Sequence, residues 1–118
     1  MIRSAASKLS LIIEILNSLD KEYCEYLGSI VLFGSYARGN YTIKSDIDIA
    51  LAFKDNVEED TIKRAVSKFN LLFDDNRLSG IVNFYITFKS SVDASADILD
   101  TNTKIREEGI ELWPQSAI

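Results

Sequence analysis

Asp46 and Asp48 stand one residue apart, a short distance after a Gly34-Ser35 pair. In a strand, Ile47, Ile49, Leu51 and Phe53 point one way and Asp46, Asp48 and Ala50 the other. Both carboxylates then project from one face, about 6.5 Å apart along the strand. Carboxylates at that separation can bracket two Mg²⁺ ions about 4 Å apart. One ion would sit on the triphosphate of a nucleotide. The other would ease deprotonation of an attacking hydroxyl and stabilise charge at the α-phosphate. Adjacent carboxylates repel unless cations are present, so the placement itself asks for metal. An Asp-x-Asp alone is read more simply as two solvated strand-edge residues.

Gly34-Ser35 follows the apolar run Ile30-Val31-Leu32-Phe33. A glycine there lets backbone N–H groups approach a phosphate closely, and a helix beginning at the turn adds its positive end. The plainer reading is a turn with a serine cap. Two other assignments fail. Gly34 and Gly39 have the glycine spacing of a P-loop, but Asn40 and Tyr41 stand where Lys and Ser/Thr are required. An EF-hand needs a glycine after the aspartates that this chain lacks. Arg38 and Lys44 are the nearest cations and could contact phosphate or remain solvated. Tyr36 and Tyr41 could stack on a base or pack on the turn.

These residues need elements to hold them. Leu9, Ile12, Ile13, Leu16, Leu19 and Tyr23 recur at helical spacing, which predicts a helix from Ser4 to Leu27 ended by Gly28. Ser29 to Phe33 reads as a strand buried on both faces. Gly34 to Arg38 is a turn opening a short helix closed by Gly39, and Asn40 to Ser45 is a polar loop. A strand follows from Asp46 to Phe53. Asn56 and Glu59 resemble a capping box for a helix carrying Ile62, Ala65, Val66, Phe69 and Leu72. Asp74-Asp75-Asn76 is its polar exit. Ile81 to Phe88 is the next strand, with Val82, Phe84, Ile86 and Phe88 on one face and Ile81, Asn83, Tyr85 and Thr87 on the other. Ser90 and Asp93 can cap a last helix ending near Gly109, with Lys104 and Arg106 near its negative end. Ile110 to Trp113 adds a short strand that Pro114 stops. The order indicates an α/β or α+β fold, a small mixed sheet flanked by helices, in one domain over residues 1–118.

Composition narrows the chemistry. The chain has no histidine, which removes Ser–His and Cys–His catalysis and ordinary zinc sites. Cys24 is the only cysteine and reads as a buried or idle thiol. The net charge of −5 gives no overall attraction to DNA or RNA, so direct polynucleotide binding is not expected. A basic protein partner fits better. No apolar run approaches the ~20 residues of a membrane span, and Met1-Ile2-Arg3-Ser4 opens no signal peptide. The cytoplasm is the expected location.

Taken together, Leu32-Phe33-Gly34-Ser35-Tyr36-Ala37-Arg38-Gly39 and Ser45-Asp46-Ile47-Asp48-Ile49-Ala50-Leu51 resemble the signature of the minimal nucleotidyltransferases. These are the small branch of the DNA-polymerase-β-like nucleotidyltransferase superfamily. The combined pattern is far more specific than either half, and the element order lets the likeness extend over most of the chain. The resemblance implies the nucleotidyltransferase fold. It implies that Gly34 and Ser35 hold the triphosphate of ATP, with Arg38, Lys44 and Ser45 beside them, and that Asp46 and Asp48 ligate Mg²⁺. The family usually carries a third carboxylate on a later strand. The matching run Ile81-Val82-Asn83-Phe84-Tyr85 puts Asn83 there. An amide oxygen can coordinate Mg²⁺ but adds no charge and cannot act as a base.

Small relatives of this kind are often encoded beside a helical HEPN protein, a ribonuclease-like toxin. The nucleotidyltransferase is then its antitoxin and transfers AMP to a toxin tyrosine. The resemblance therefore implies transfer of AMP from ATP to a hydroxyl of a HEPN-type partner. One alternative is an inactive or weakened antitoxin that neutralises its partner by complex formation. Another is a small-molecule nucleotidyltransferase with an aminoglycoside-like acceptor. A domain of this size has room for the nucleotide site and little more, so a partner should bring the acceptor surface. Homo- and hetero-oligomers both stay open.

Overall fold

The computed structural model describes residues 5–19, 25–78 and 80–114, with side chains from Lys8 onward. Nine elements follow in order: α1 (Ala5–Asn17), β1 (Leu27–Phe33), α2 (Ser35–Arg38), β2 (Ile47–Phe53), α3 (Glu59–Asp75), β3 (Val82–Phe88), α4 (Lys89–Ala94), α5 (Thr101–Glu108) and β4 (Ile110–Trp113). The strands form one sheet in the order β3-β2-β1-β4. β1 runs antiparallel to both β2 and β4, while β2 and β3 are parallel. The sheet is therefore mixed, within an α+β fold, as expected.

The topology follows from connection length. Parallel neighbours need a crossover, and the 17-residue α3 supplies it between β2 and β3. The eight-residue stretch between α2 and β2 needs no helix, because β1 and β2 are antiparallel.

Both faces of the sheet centre are buried. On one face Ile30, Leu32, Ile47, Ile49, Leu51 and Phe53 pack with Ile12 and Leu16 of α1 and with Ala65, Phe69 and Phe73 of α3. Phe84 closes this layer through ring contacts to Phe69 and Phe73. On the other face Val31, Ala50 and Ala52 meet Val92 of α4 and Ile105 of α5. Two alanines on β2 leave room for those short helices. β2 is consequently buried along its length, and Asp48 is its one residue that opens outward.

Several element boundaries differ from expectation. β2 begins at Ile47 and β3 at Val82, one residue later than expected, so Asp46 sits immediately before its strand. The first helix ends at Asn17, where Ser18 folds back so that its Oγ donates to the Ile15 carbonyl. Leu27 and Gly28, expected at the end of that helix, lie in β1, with Leu27 paired to Phe53. Tyr23 and Cys24 lie outside the described residues, as does the Met1–Ser4 segment.

The Asn56–Glu59 capping box does not form. Glu58 is the N-cap of α3 and makes no side-chain cap hydrogen bond. Asn56 adopts φ 66° in the preceding turn, and Glu59 pairs forward with Lys63 at 3.3 Å.

The last expected helix is two helices. Asp100 caps α5 by accepting from Asn102 N–H, a role given to neither Ser90 nor Asp93. Ser90 Oγ instead donates to Asp55 at 2.6 Å, and Asp93 pairs weakly with Lys89. Between the helices Asp97 accepts from Leu99 N–H, a local bond that competes with helix.

Candidate active site

β1 ends at Phe33, whose register partner on β2 is Asp48. The chain turns at Gly34 with φ 74° and ψ −154°, a region essentially confined to glycine. A Cβ at Gly34 would collide with the Asp48 carboxylate. The glycine therefore lets the turn close over Asp48. Its missing side chain makes room for the carboxylate.

α2 is a single turn, so it cannot hold itself in place. Backbone bonds tie it down: Arg38 N–H reaches the Gly34 carbonyl, and Gly39 and Asn40 N–H both reach Ser35 O. Gly39 ends it in the left-handed region. Gly34 is the N-cap residue, so Ser35 is the first helical residue and not the cap. Tyr36 anchors the turn from below, 5% exposed in the α1/α3 core. Tyr41 stacks on it with ring centroids 4.3 Å apart and planes within 9°. Of the two stacking options, the structure realises packing on the turn.

Asn83 lies beside Asp48 in the parallel β2–β3 register. Its Nδ2 donates to Asp46 Oδ2 at 3.1 Å. An ionised carboxylate only accepts, so the amide nitrogen must face Asp46 and the amide oxygen must turn away. Gly34, Asp46, Asp48 and Asn83 thus converge from the β1–α2 turn, the start of β2 and the start of β3. Those four positions were legible in sequence as candidates, and the fold brings them together. Asp46 and Asn83 are exposed and Asp48 is half-buried.

The remaining candidates are placed differently. Ser45 Oγ accepts from Thr42 N–H at 2.9 Å and sits 3.3 Å from Thr42 Oγ1, so its hydroxyl braces the 42–45 turn. Lys44 lies exposed in that turn, its backbone N–H on Thr42 Oγ1. Arg38 pairs with Glu108 at the end of α5, NH1 to Oε2 at 3.2 Å. Glu108 carried no local signal in the sequence, because its partner is 70 residues away.

The donor set can be tested against Mg²⁺. Among the described residues, no group of three or more His, Cys, Asp or Glu side chains is placed to hold a metal. Asp46 and Asp48 offer hard oxygen donors, the type Mg²⁺ takes, and the Asn83 amide oxygen would join them only after the amide turns over from its present bond to Asp46. They suit an ion completed by phosphate oxygens and water better than an all-protein cage.

With this geometry in view, likeness to known proteins becomes informative. Residues 9–112 match the nucleotidyltransferase domain family, and the chain belongs to it. Two Methanocaldococcus jannaschii proteins, each named a "putative protein adenylyltransferase", are similar in sequence. The first is 53% identical over 38 residues, 32% of this chain and 38% of that protein. The second is 34% identical over 70 residues, 53% of this chain and 71% of that protein. The chain thus spans well under half the length of the first relative. A solved structure of a "putative nucleotidyltransferase" from Sulfolobus solfataricus shares the fold at a TM-score of 0.53. Its identity is 23%, and the match covers 89% of this chain and 78% of that one. No helix among the described residues is long and apolar enough to cross a membrane.

Proposed function

We propose that this domain transfers AMP from ATP to a hydroxyl of a partner protein. The observation that carries the reading is the closure of the Gly34 turn over Asp48, with Asn83 alongside it and bonded to Asp46. That arrangement puts phosphate-accessible backbone and hard oxygen donors at one corner of the sheet. Family membership supports nucleotidyl transfer, and the relatives named above favour a protein acceptor.

In this reading the Gly34-Ser35 turn receives the triphosphate. Asp46 and Asp48 would hold Mg²⁺, with the Asn83 amide oxygen as a neutral third donor. The chemistry a bound Mg²⁺ supplies is charge neutralisation at the α-phosphate and easier loss of the acceptor proton. The acceptor oxygen bonds to the α-phosphorus, the bond to the bridging α–β oxygen breaks, and pyrophosphate leaves. The acceptor proton passes to solvent. Asn83 holds Asp46 by a hydrogen bond while no cation is present, a service an aspartate at 83 could not give.

The partner we infer is a HEPN-type helical protein, with this chain as its antitoxin. The net charge of −5 favours a partner with basic surface over a polynucleotide. A second reading has a specific observation in its favour. Asn83 brings no negative charge, and no three-carboxylate cluster stands among the described residues. In that reading the chain neutralises its partner by contact alone.

The test is label transfer from α-labelled ATP with Mg²⁺ and the product of the neighbouring gene. Transfer lost on Asp46→Asn supports the enzyme. A stable complex without transfer supports the contact-only antitoxin.

A further inference from the structure

The Arg38–Glu108 pair links the one-turn helix of the candidate nucleotide site to an element that sequence reasoning left unconnected with it. Its two sides differ in firmness. Glu108 closes α5, whose Ile105 is 1% exposed against Val31, Ala50 and Ala52. Gly109 follows directly, its N–H bonded to the Ile105 carbonyl, at a place where a Cβ would strike Val31 and the Ile105 carbonyl. Arg106 adds bonds from NH1 to the Val92 and Asp93 carbonyls of α4. The end of α5 is therefore a fixed post. It stands on the sheet face that carries Ala50 and Ala52, which is also the face of Asp48 and Asn83.

Arg38 has the opposite situation. It rises from a helix too short to orient it, and its partner fixes which way it reaches. It lies three positions after Ser35, so the two share one side of the turn. Tyr36 points the other way, into the α1/α3 core. Glu108 draws the guanidinium to the side where Asp48 and Asn83 project. The contact is made through NH1 alone, and a guanidinium has further donors for an anion.

We infer that Glu108 is a positioning residue for the nucleotide: it aims Arg38 at the phosphates without touching them itself. The inference rests on the nucleotide reading above. The alternatives are a purely structural tether and a latch that competes with phosphate for Arg38. With side chains 43% and 38% exposed, the pair contributes little to stability. A pure tether of that kind would matter little, whereas an aimed charge matters to an anionic ligand.

Mg·ATP binding, measured by calorimetry on the whole chain, separates these roles. Glu108→Gln should weaken binding by about tenfold, the low end for one lost charge-assisted hydrogen bond. Its thermal midpoint should stay with that of the wild type, and Glu108→Asp should recover part of the affinity. The Arg38→Glu/Glu108→Arg double variant restores an ion pair but leaves no cation on α2. It should bind no better than Arg38→Ala. Recovery of wild-type affinity in the double variant would make the pair a tether and overturn the inference. Unchanged or tighter binding by Glu108→Gln would overturn it too. A folded wild type that binds no Mg·ATP would instead overturn the nucleotide reading, and this inference with it.

Discussion

The Asp48 carboxylate occupies the space where a Cβ of Gly34 would lie. Two motifs that are separate in sequence are one unit in space: the turn closes because residue 34 has no side chain, and closing it sets the carboxylate beside the Gly34 backbone. Gly34→Ala should therefore damage the site twice. Holding alanine at φ 74° and ψ −154° costs about 1–3 kcal/mol, and the methyl also displaces Asp48. The expected outcome is a folded protein with a lowered urea midpoint and Mg·ATP affinity reduced at least about tenfold. Calorimetry and urea melts on the same sample check both.

Asn83→Asp replaces a hydrogen-bond donor to Asp46 with a like charge. Without metal, the variant should lose about 1–2 kcal/mol through the missing bond and the repulsion that replaces it. Added Mg²⁺ should recover that stability, and should raise the melting temperature of the variant more than that of the wild type. Thermal melts in EDTA and in Mg²⁺ read the difference directly. An increase in transfer activity is expected alongside.

Asp100 supplies the only side-chain cap seen at the start of α3, α4 or α5. Asp100→Ala should cost about 1 kcal/mol. Ser90→Ala, at a residue that only bonds the exposed Asp55, should stay within about 0.5 kcal/mol of wild type. Urea denaturation of the two variants distinguishes the observed cap from the expected one.

The stacked tyrosines differ in depth. Tyr36 is 5% exposed and Tyr41 is 41% exposed. Tyr36→Ala should destabilise by about 3 kcal/mol, as truncation of a buried ring does. Tyr41→Ala should cost about 1 kcal/mol, the worth of the ring pair. Equal losses would contradict the buried-anchor role of Tyr36.

Strand β2 was legible because Ile47, Ile49, Leu51 and Phe53 alternate with small or charged residues, but burial does not follow that alternation: α4 and α5 also cover Ala50 and Ala52, so only Asp48 within the strand is partly open. Asn83 became a candidate only through the family resemblance, which expects a third polar position in such an apolar run; the parallel register sets it beside Asp48. The end of α1 was not legible, since Leu19 and Tyr23 continue a helical period past the point where Ser18 turns the chain. The break between α4 and α5 was hidden for a related reason. Ile98 and Leu99 look like helix-face residues, yet they are exposed at 76% and 81% while Asp97 and Asp100 capture nearby N–H groups. Glu108 could not have been joined to Arg38 from spacing, because only the packing of α5 on β1 and β2 brings them together.

The central claim is transfer of AMP, and one measurement tests it most directly. The whole chain, α-labelled ATP, Mg²⁺ and the product of the neighbouring gene are incubated together, and label is read on each protein by gel and mass spectrometry. The account predicts label on a hydroxyl of the partner, absent with Asp46→Asn or Asp48→Asn. Label that persists undiminished in both variants would contradict the assignment of the site, and no label with the wild type would contradict the enzyme.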